Sequence, residues 1–135
     1  QASSRFTTIH NYIELETMIL RKGAISARAG EIVLIPLNMR DGSLLCVGKG
    51  NPDWNFSAPH GAGRIMSRNE AKQVLTLRDF QSSMEGIYTT SIRKDTLDEA
   101  PMAYKSLDSL TEYLDQTVDI LHHLTPIYNF KAGGN

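Results

Sequence analysis

Residues 48–63 are rich in glycine, proline and asparagine and lack any regular spacing of apolar side chains. Such a segment continues neither a helix nor a strand, so it divides the chain into two ordered parts. A long irregular segment inside a compact domain is usually functional or disordered. Trp54 and Phe56 lie within it and need neighbours to pack against, which argues against disorder. The sequence therefore predicts an ordered, functional loop.

The part of the chain before this loop has the composition of short strands. Residues 32–35 and 44–47 are continuous apolar runs whose length suits buried strands better than helices. Pro36 ends the first run, and the polar residues 38–43 would connect the two strands. The other segments with strand composition are residues 6–9, 10–14 and 18–20, the last followed by a predicted break at Lys22 and Gly23.

Beyond the loop, the spacing of apolar residues predicts mainly helices. Ser67 and Glu70 have the spacing of a capping box, in which the serine caps the first turn and the glutamate reaches back. The longest amphipathic segment begins near Ser106, with leucines and a valine every three or four residues, and stops at Pro126. His122 and His123 would lie near its end as structural residues. The remaining predictions are a helix over residues 77–84 and strands over residues 87–92 and 127–130.

These elements predict an α+β fold, in which an irregular mixed sheet carries a glycine-rich histidine loop and helices pack to one side. The 135 residues can form one modest core but not two independent domains. Residues 1–5 contain neither an initiating methionine nor the apolar stretch of a signal peptide. We interpret the chain as a fragment or a processed chain.

Charge and cysteine content restrict the class of protein. The formal net charge of −1 is not the basic field of a protein that grips nucleic acid mainly through phosphates. Any RNA contact must therefore be local or come from protein outside this chain. A single cysteine, Cys46, excludes an intramolecular disulfide and favours an intracellular, cytoplasmic location. No apolar run approaches the roughly 20 residues of a membrane span, so no membrane partner is expected.

The segment from Ser57 to Arg64, Ser-Ala-Pro-His-Gly-Ala-Gly-Arg, surrounds one imidazole, that of His60, with small residues. Glycines allow close backbone approach, and exposed N–H groups in such a turn can hold phosphate oxygens. Arg64 and Arg68 add donors suited to phosphate. A neutral imidazole beside an anion can attack phosphorus and form a phosphoramidate. This pattern indicates phosphoryl or nucleotidyl transfer on histidine; the alternative is a histidine packed in a glycine-rich turn.

The string SAPHGAGRIMSR closely resembles the histidine motif of the RtcB family of RNA ligases. The strings GEIVLIPLNMRDGSLLCVGKGN, DEAPMAYK and PIYNFKAGG resemble the C-terminal portion of the same family, in the same order. The similarity covers nearly the whole chain and rests on several separated motifs. It implies that residues 1–135 are the C-terminal part of an RtcB-like ligase domain whose N-terminal part is absent.

The resemblance implies a GTP- and manganese-dependent RNA ligase that acts in tRNA splicing or RNA repair. Such enzymes join an RNA 3′-phosphate or 2′,3′-cyclic phosphate to a 5′-hydroxyl. His60 would take GMP covalently, the guanylate would move to the RNA 3′-phosphate, and the 5′-hydroxyl would displace GMP. The implied nucleotide contacts are Asn38, Ser43, Gly61, Ala62, Gly63, Arg64, Tyr104 and Lys131. Of these, Asn38 departs from the serine of many relatives.

His10 matches a manganese ligand of the family. By itself, a histidine followed by asparagine has no metal-ligand spacing, and a core or surface histidine would be the simpler interpretation. If one metal ion connects His10 and His60 to a bound nucleotide, both imidazoles must face one cavity. The remaining manganese ligands of the family belong to the N-terminal portion, so we expect the isolated chain to be nearly inactive.

Two other functions fit the sequence. The chain could be a non-catalytic nucleotide- or RNA-binding module derived from the ligase, paired with a separately encoded N-terminal half. It could also be a structural fragment of a larger protein. An upstream sequence with the cysteine and histidine ligand motifs would favour the enzyme, whose partners are then GTP, RNA ends and the N-terminal remainder.

Overall fold

The computed structural model describes residues 5–132, and residues 1–4 and 133–135 lie outside the described part, with the final glycines of the PIYNFKAGG motif. The first of its sheets has three antiparallel strands in the order β1-β2-β5. These strands are β1 (His10–Glu14), β2 (Ile19–Ser26) and β5 (Ser57–Pro59). Strand β2 lies in the centre, so it sets the positions of both neighbours.

The second sheet is also antiparallel, with strand order β3-β4-β7. It contains β3 (Ile32–Pro36), β4 (Ser43–Gly48) and β7 (Val118–Leu124). Buried and partly buried residues alternate along β4, as expected for a strand with one face on the core. The predicted strands at residues 32–35 and 44–47 are confirmed.

Within residues 5–132, three short helices and three 3-10 segments lie in the second half of the chain, and a fourth 3-10 segment lies in the loop before it. The helices are α1 (Arg68–Val74), α2 (Leu77–Ser83) and α3 (Thr111–Thr117). The predicted capping box is present at α1, where Ser67 Oγ accepts the Glu70 N–H and the Glu70 carboxylate accepts the Ser67 N–H. The 3-10 segments are Pro52–Trp54, Lys94–Glu99, Pro101–Ala103 and Asp108–Leu110. None of the described helices combines the length and apolar character needed to cross a bilayer.

The α+β class is confirmed, but the strands do not form one mixed sheet. The parallel pairing is confined to a separate pair of two-residue strands, β6 (Tyr88–Thr89) and β8 (Tyr128–Asn129). The larger apolar cluster joins the two antiparallel sheets to α3 and includes Ile25, Ile35, Leu44, Ala58 and Leu114. The smaller one packs α2 and the 3-10 segments and consists of Met39, Phe80, Met84, Leu97 and Ala100.

The long helix predicted from Ser106 is wrong. Only Thr111–Thr117 is α-helical, and Val118–Leu124 is strand β7, paired along β4. His122 and His123 therefore lie in a strand, and the His123 ring contacts the backbone carbonyl of Asp41. The pairing gives β4 a second hydrogen-bonded neighbour, which outweighs a helical spacing that is only a weak preference.

Four other predictions about the strands differ from the structure. Residues 6–9 belong to no strand, and the segments predicted as strands at residues 87–92 and 127–130 shorten to two residues each. The predicted break at Lys22 and Gly23 is absent, because β2 runs through it. Gly23 instead has a positive φ of 67°, and its N–H donates to the Asn11 side chain at 2.7 Å. The glycine thus produces an irregular strand pair instead of an end.

A buried arginine holds the first sheet to the loop before His60. Arg21 has a fully buried side chain, and it donates to Ser57 Oγ at 2.9 Å and to the Glu14 carboxylate at 3.0 Å. It also reaches the carbonyl oxygens of Asn55 and Phe56, both at 3.4 Å. Together these contacts satisfy the donors of a guanidinium group that water cannot reach.

The Glu14 carboxylate should make the free energy of unfolding depend on pH in the acid range. Hydrogen bonds from Thr17, Arg28 and Arg21 lower the pKa of Glu14 to about 2. A glutamate in the unfolded chain has a pKa of about 4.3. A lowered folded pKa stabilises the fold above the unfolded value, and this contribution is lost as pH falls toward 2. Glu14→Gln should therefore lower the free energy of unfolding at neutral pH, and its difference from wild type should shrink below about pH 4.

Urea unfolding of the intact protein at a series of pH values measures this difference. Glu16→Gln is the matched control, because Glu16 is an exposed glutamate in the adjoining turn, and it should change stability little at any pH. A Glu14→Gln difference that stayed constant down to about pH 2.5 would contradict the assignment.

Candidate functional site

Two imidazoles come together at one end of the first sheet. His10 begins β1 and pairs with Ile25 of β2, which in turn pairs with Ala58 of β5. His60 follows β5 directly. The ring centroids of His10 and His60 are 5.2 Å apart, with the rings inclined at 67°. The structure therefore places the two histidines singled out in the sequence side by side.

The surroundings of His60 favour a neutral ring. Burial lowers the pKa of His60, and the neighbouring His10 lowers it further by charge repulsion. A neutral imidazole has a lone pair on one nitrogen, which a protonated ring lacks. His60 is therefore suited to act as a nucleophile at neutral pH.

The donors of this chain fit only part of a metal site. Two adjacent imidazoles can share one ion, but residues 5–132 contain no group of three or more histidine, cysteine, aspartate or glutamate side chains placed to hold a metal. Cys46 is buried in β4, and burial raises the pKa of its thiol to about 11, which opposes the thiolate that metals bind.

The loop after His60 is packed closely against β3. The Ala62 N–H donates to the Pro36 carbonyl oxygen at 3.2 Å. A side chain at Gly61 would bring a Cβ to 3.1 Å from that same oxygen. Gly63 has a φ of 71°, a conformation that favours glycine. The path of this loop therefore favours glycine at both positions, whatever it binds.

The arginines that follow the loop are engaged within the protein. The Arg64 guanidinium donates to the Met66 carbonyl at 3.0 Å, to the Asp98 carbonyl at 2.6 Å and to the Tyr104 hydroxyl at 3.1 Å. Arg68 pairs with the carboxylates of Asp98 and Glu99. Each arginine thus uses donors that the sequence would assign to phosphate, so direct phosphate binding would have to share or replace these contacts.

A cavity of about 460 Å³ brings together four of the predicted nucleotide contacts. Asn38, Ser43, Tyr104 and Lys131 all line it, although they are widely separated in sequence. This volume lies within the range of about 300–1,000 Å³ typical of small-molecule sites. The loop from Gly61 to Arg64 contributes no residue to its lining, but Arg64 stacks on the Tyr104 ring, 4.9 Å from its centroid.

Glu99 connects the polar residues of this cavity. Its carboxylate accepts hydrogen bonds from Arg68 at 2.8 Å and from the Tyr104 hydroxyl at 3.0 Å, and it lies 3.2 Å from the Lys131 ammonium. Burial opposes ionisation, but the hydrogen bond from Arg68 and the charge of Lys131 lower the pKa of Glu99 below its usual value. The cavity thus contains a carboxylate that stays ionised at neutral pH.

Glu99 was not among the residues predicted from the sequence. It belongs to the DEAPMAYK string, and an acidic residue five positions before Tyr104 was the available signal. Asn38, by contrast, was predicted as a nucleotide contact, and its side chain is engaged in a turn. Its Oδ1 accepts the N–H groups of Arg40 and Asp41, and its Nδ2 donates to the Asp41 carboxylate at 2.8 Å.

The backbone N–H and carbonyl groups of Lys131 are both hydrogen-bonded to Ser91. Its N–H donates to Ser91 Oγ at 2.8 Å, and Ser91 Oγ donates back to its carbonyl at 3.3 Å. Two residues earlier, the Asn129 side chain donates to the Met39 carbonyl at 2.5 Å. These bonds direct the Lys131 ammonium into the cavity beside Glu99.

Nearly the whole chain is similar in sequence to known proteins. A sequence model of the family described as tRNA-splicing ligase RtcB matches residues 1–132. The RNA-splicing ligase RtcB of Escherichia coli K12 is 36% identical over 131 residues, which is 91% of this chain and 31% of that protein. The tRNA-splicing ligase RtcB of Aeropyrum pernix is 40% identical over 88 residues, 62% of this chain and 18% of that protein. The chain spans less than a third of the length of the curated relatives it matches.

Proposed function

The chain belongs to the RtcB family of RNA ligases, and on that premise we propose that the intact protein joins RNA 3′-phosphate or 2′,3′-cyclic phosphate ends to 5′-hydroxyl ends through a His60–GMP intermediate. Residues 1–135 are the C-terminal part of its ligase domain, and the N-terminal remainder is a partner that completes the site. The reaction serves tRNA splicing or RNA repair in the cytoplasm. The observation that carries the proposal is the His10–His60 pair at the start of the glycine loop.

His60 is the nucleophile in this scheme. Its neutral nitrogen attacks the α-phosphorus of GTP, forming a P–N bond while pyrophosphate leaves. An oxygen of the RNA 3′-phosphate then attacks the same phosphorus, breaking the P–N bond and restoring the imidazole. The RNA 5′-hydroxyl finally attacks the activated 3′-phosphorus, loses its proton and releases GMP. The lowered pKa of His60 supports its part in the first step.

In this proposal His10 would hold a metal ion beside His60, and the remaining ligands would come from the N-terminal remainder; the short distance between the two rings supports this role. Bound manganese would supply positive charge that neutralises the triphosphate. The loop residues Gly61, Ala62 and Gly63 would let the phosphates approach the backbone, since none of them has a side chain larger than a methyl group.

Guanine fits the polar groups of the 460 Å³ cavity. Guanine presents O6 and N7 as acceptors and its N2 amino group as a donor. The Lys131 ammonium is a donor and the Glu99 carboxylate an acceptor, and they lie 3.2 Å apart. Tyr104 can lie against the base or ribose, with Ser43 and Asn38 at the same cavity wall. Adenine carries an amino group in place of O6, which a lysine cannot pair with.

Replacing Lys131 by alanine should raise the GTP concentration needed for guanylation and narrow the preference for GTP over ATP. Loss of one charged hydrogen bond is worth about 1–3 kcal/mol. The measurement is the rate of protein guanylation against GTP and ATP concentration. Lys94→Ala, at an exposed lysine outside the cavity, is the matched control. Indistinguishable curves for Lys131→Ala and wild type would remove Lys131 from base recognition.

The experiment that tests the function is incubation of the intact protein with radiolabelled GTP and manganese. Covalent label that is acid-labile and alkali-stable would support a phosphoramidate on histidine. Transfer of that label to RNA with a 3′-phosphate, followed by ligation to a 5′-hydroxyl strand, completes the test. Nucleotide binding without covalent label would favour the alternative, a non-catalytic nucleotide- or RNA-binding module.

A further inference from the structure

A second cavity, of about 390 Å³, borders the histidine loop and shares no lining residue with the cavity around Lys131. Pro59, just before His60, and the three residues after it, Gly61, Ala62 and Gly63, form part of its wall. The proposed guanosine contacts Asn38, Ser43, Tyr104 and Lys131 do not line this second cavity. The second cavity is therefore available to the other substrate of the proposed reaction.

Two aromatic side chains also line this cavity. Trp54 and Tyr113 are arranged edge to face, with ring centroids 5.8 Å apart and an interplanar angle of 80°. An edge-to-face pair leaves ring faces available for a third ring, and 44% of Tyr113 is exposed to solvent. A nucleobase that is not stacked in a helix is a planar partner of the right kind.

Hydrogen bonds to Gln116 position the Trp54 ring and the turn that carries it. Its indole N–H donates to the Gln116 side chain at 2.9 Å, and Asn51 donates to the Gln116 backbone carbonyl at 2.9 Å. Asn55 and Phe56 follow in left-handed conformations, with φ of 50° and 52°. The buried Arg21 side chain donates to both of their carbonyl groups, at 3.4 Å. Such strain costs free energy and persists where surrounding contacts over-determine it, often at functional sites.

Two lysines without a carboxylate partner line the same cavity. Within residues 5–132, the lysines in ion pairs are Lys49, Lys72 and Lys131. Lys22 and Lys105 line the second cavity, are exposed, and have no such pair in that part of the chain. Their positive charge next to an aromatic pair suits a group that is both planar and anionic.

We propose that this cavity binds the terminal nucleotide of the RNA strand that carries the 3′-phosphate. The base stacks on Trp54 and Tyr113, and Lys22 and Lys105 bind its phosphates. We favour this strand over the 5′-hydroxyl strand because its terminal phosphate brings more negative charge to the two ammonium groups. This inference rests on the proposed function, since it assigns the RNA a place beside the histidine that carries the guanylate.

The test uses Trp54→Leu in the intact ligase, with Trp54→Phe as the variant that keeps an aromatic ring. Guanylation by GTP alone should be unchanged in both, because the guanosine cavity is separate. The KM for a 3′-phosphorylated RNA should rise roughly tenfold in Trp54→Leu, since stacking on one aromatic side chain is worth about 1–3 kcal/mol per base. Trp54→Phe should stay close to wild type.

RNA that lacks the base of its 3′-terminal nucleotide identifies the contact. This abasic RNA should have a raised KM with wild type, and Trp54→Leu should raise that KM no further. RNA that lacks the base of its 5′-terminal nucleotide should show the same change of KM in wild type and in Trp54→Leu. An unchanged KM in Trp54→Leu would overturn the proposal. The proposal would also be overturned if removal of the 5′-terminal base, instead of the 3′-terminal base, abolished the difference in KM between Trp54→Leu and wild type.

Fluorescence tests the contact without relying on a disruptive variant. Trp54 is the one tryptophan of this sequence, so 3′-phosphorylated RNA should quench wild-type fluorescence by an amount that Trp54→Phe abolishes. Equal quenching in both proteins would overturn the proposal and favour a cavity covered by the N-terminal remainder. A wild-type protein that is never guanylated would refute the proposed function, whereas normal guanylation without these Trp54 effects would refute only the RNA site.

Discussion

His60→Ala in the intact protein is expected to abolish covalent labelling by GTP, to below about a thousandth of the wild-type rate. His10 is the nearest other imidazole, with its ring centroid 5.2 Å away, and in our proposal its coordinating nitrogen is occupied by the metal ion. The residues that immediately follow His60 offer only small apolar side chains. No neighbouring group can therefore form the P–N bond. The measurement is retention of radiolabel on protein after denaturation in alkali.

The matched control is His122→Ala, which removes an exposed histidine in β7 and should leave labelling unchanged. GTP binding by His60→Ala, measured by equilibrium dialysis, should persist, because the base and ribose contacts lie in the Lys131 cavity. Continued acid-labile labelling of His60→Ala would show that another group accepts the guanylate.

Arg21→Met is expected to lower the free energy of unfolding by about 3 kcal/mol, the largest stability effect that we predict. Methionine can fill much of the space of the buried arginine stem but cannot donate hydrogen bonds. Ser57, Tyr12 and the carbonyl groups of Asn55 and Phe56 would lose a donor. These contacts are partly buried, so each acceptor that loses its donor carries part of the desolvation cost of an unpaired polar group.

Chemical denaturation of the intact protein measures this loss, with Arg28→Met as the control. Arg28 donates to the same Glu14 carboxylate at 2.8 Å, but 39% of its side chain is exposed. Its loss should therefore cost much less, because solvent can replace the contact. Equal effects of the two substitutions would mean that burial of Arg21 does not decide the stability of this sheet.

Local signals predicted the elements that depend on local contacts. The capping box of Ser67 and Glu70 predicted the start of α1, because both of its hydrogen bonds close within one turn. The apolar runs of β3 and β4 were predicted as strands, and the turn between them contains Gly42 with a φ of 77°. A Cβ at Gly42 would lie 2.0 Å from the Leu124 carbonyl oxygen, so glycine is required there by β7, an element that the sequence had assigned to a helix.

Pairing between distant segments explains the main errors. Residues 118–124 have both helical spacing and strand-forming side chains, and β4 decided between them by offering a hydrogen-bonding edge. In the same way, Lys22 and Gly23 lie inside β2 because β1 and β5 pair on both of its sides. These contacts join residues that are far apart in the chain, so the pattern of a short stretch of sequence cannot predict them.

For the candidate site, the sequence by itself determined which residue types are present: one histidine among glycines, a second histidine at position 10, and a tyrosine and a lysine in later motifs. Only the tertiary structure decided that His10 and His60 are neighbours, that Tyr104 and Lys131 share a cavity with Glu99, and that Arg64 and Arg68 bind other parts of the protein. The reason is physical. Residue chemistry belongs to each side chain, whereas proximity and burial arise from strand pairing and core packing across the whole chain.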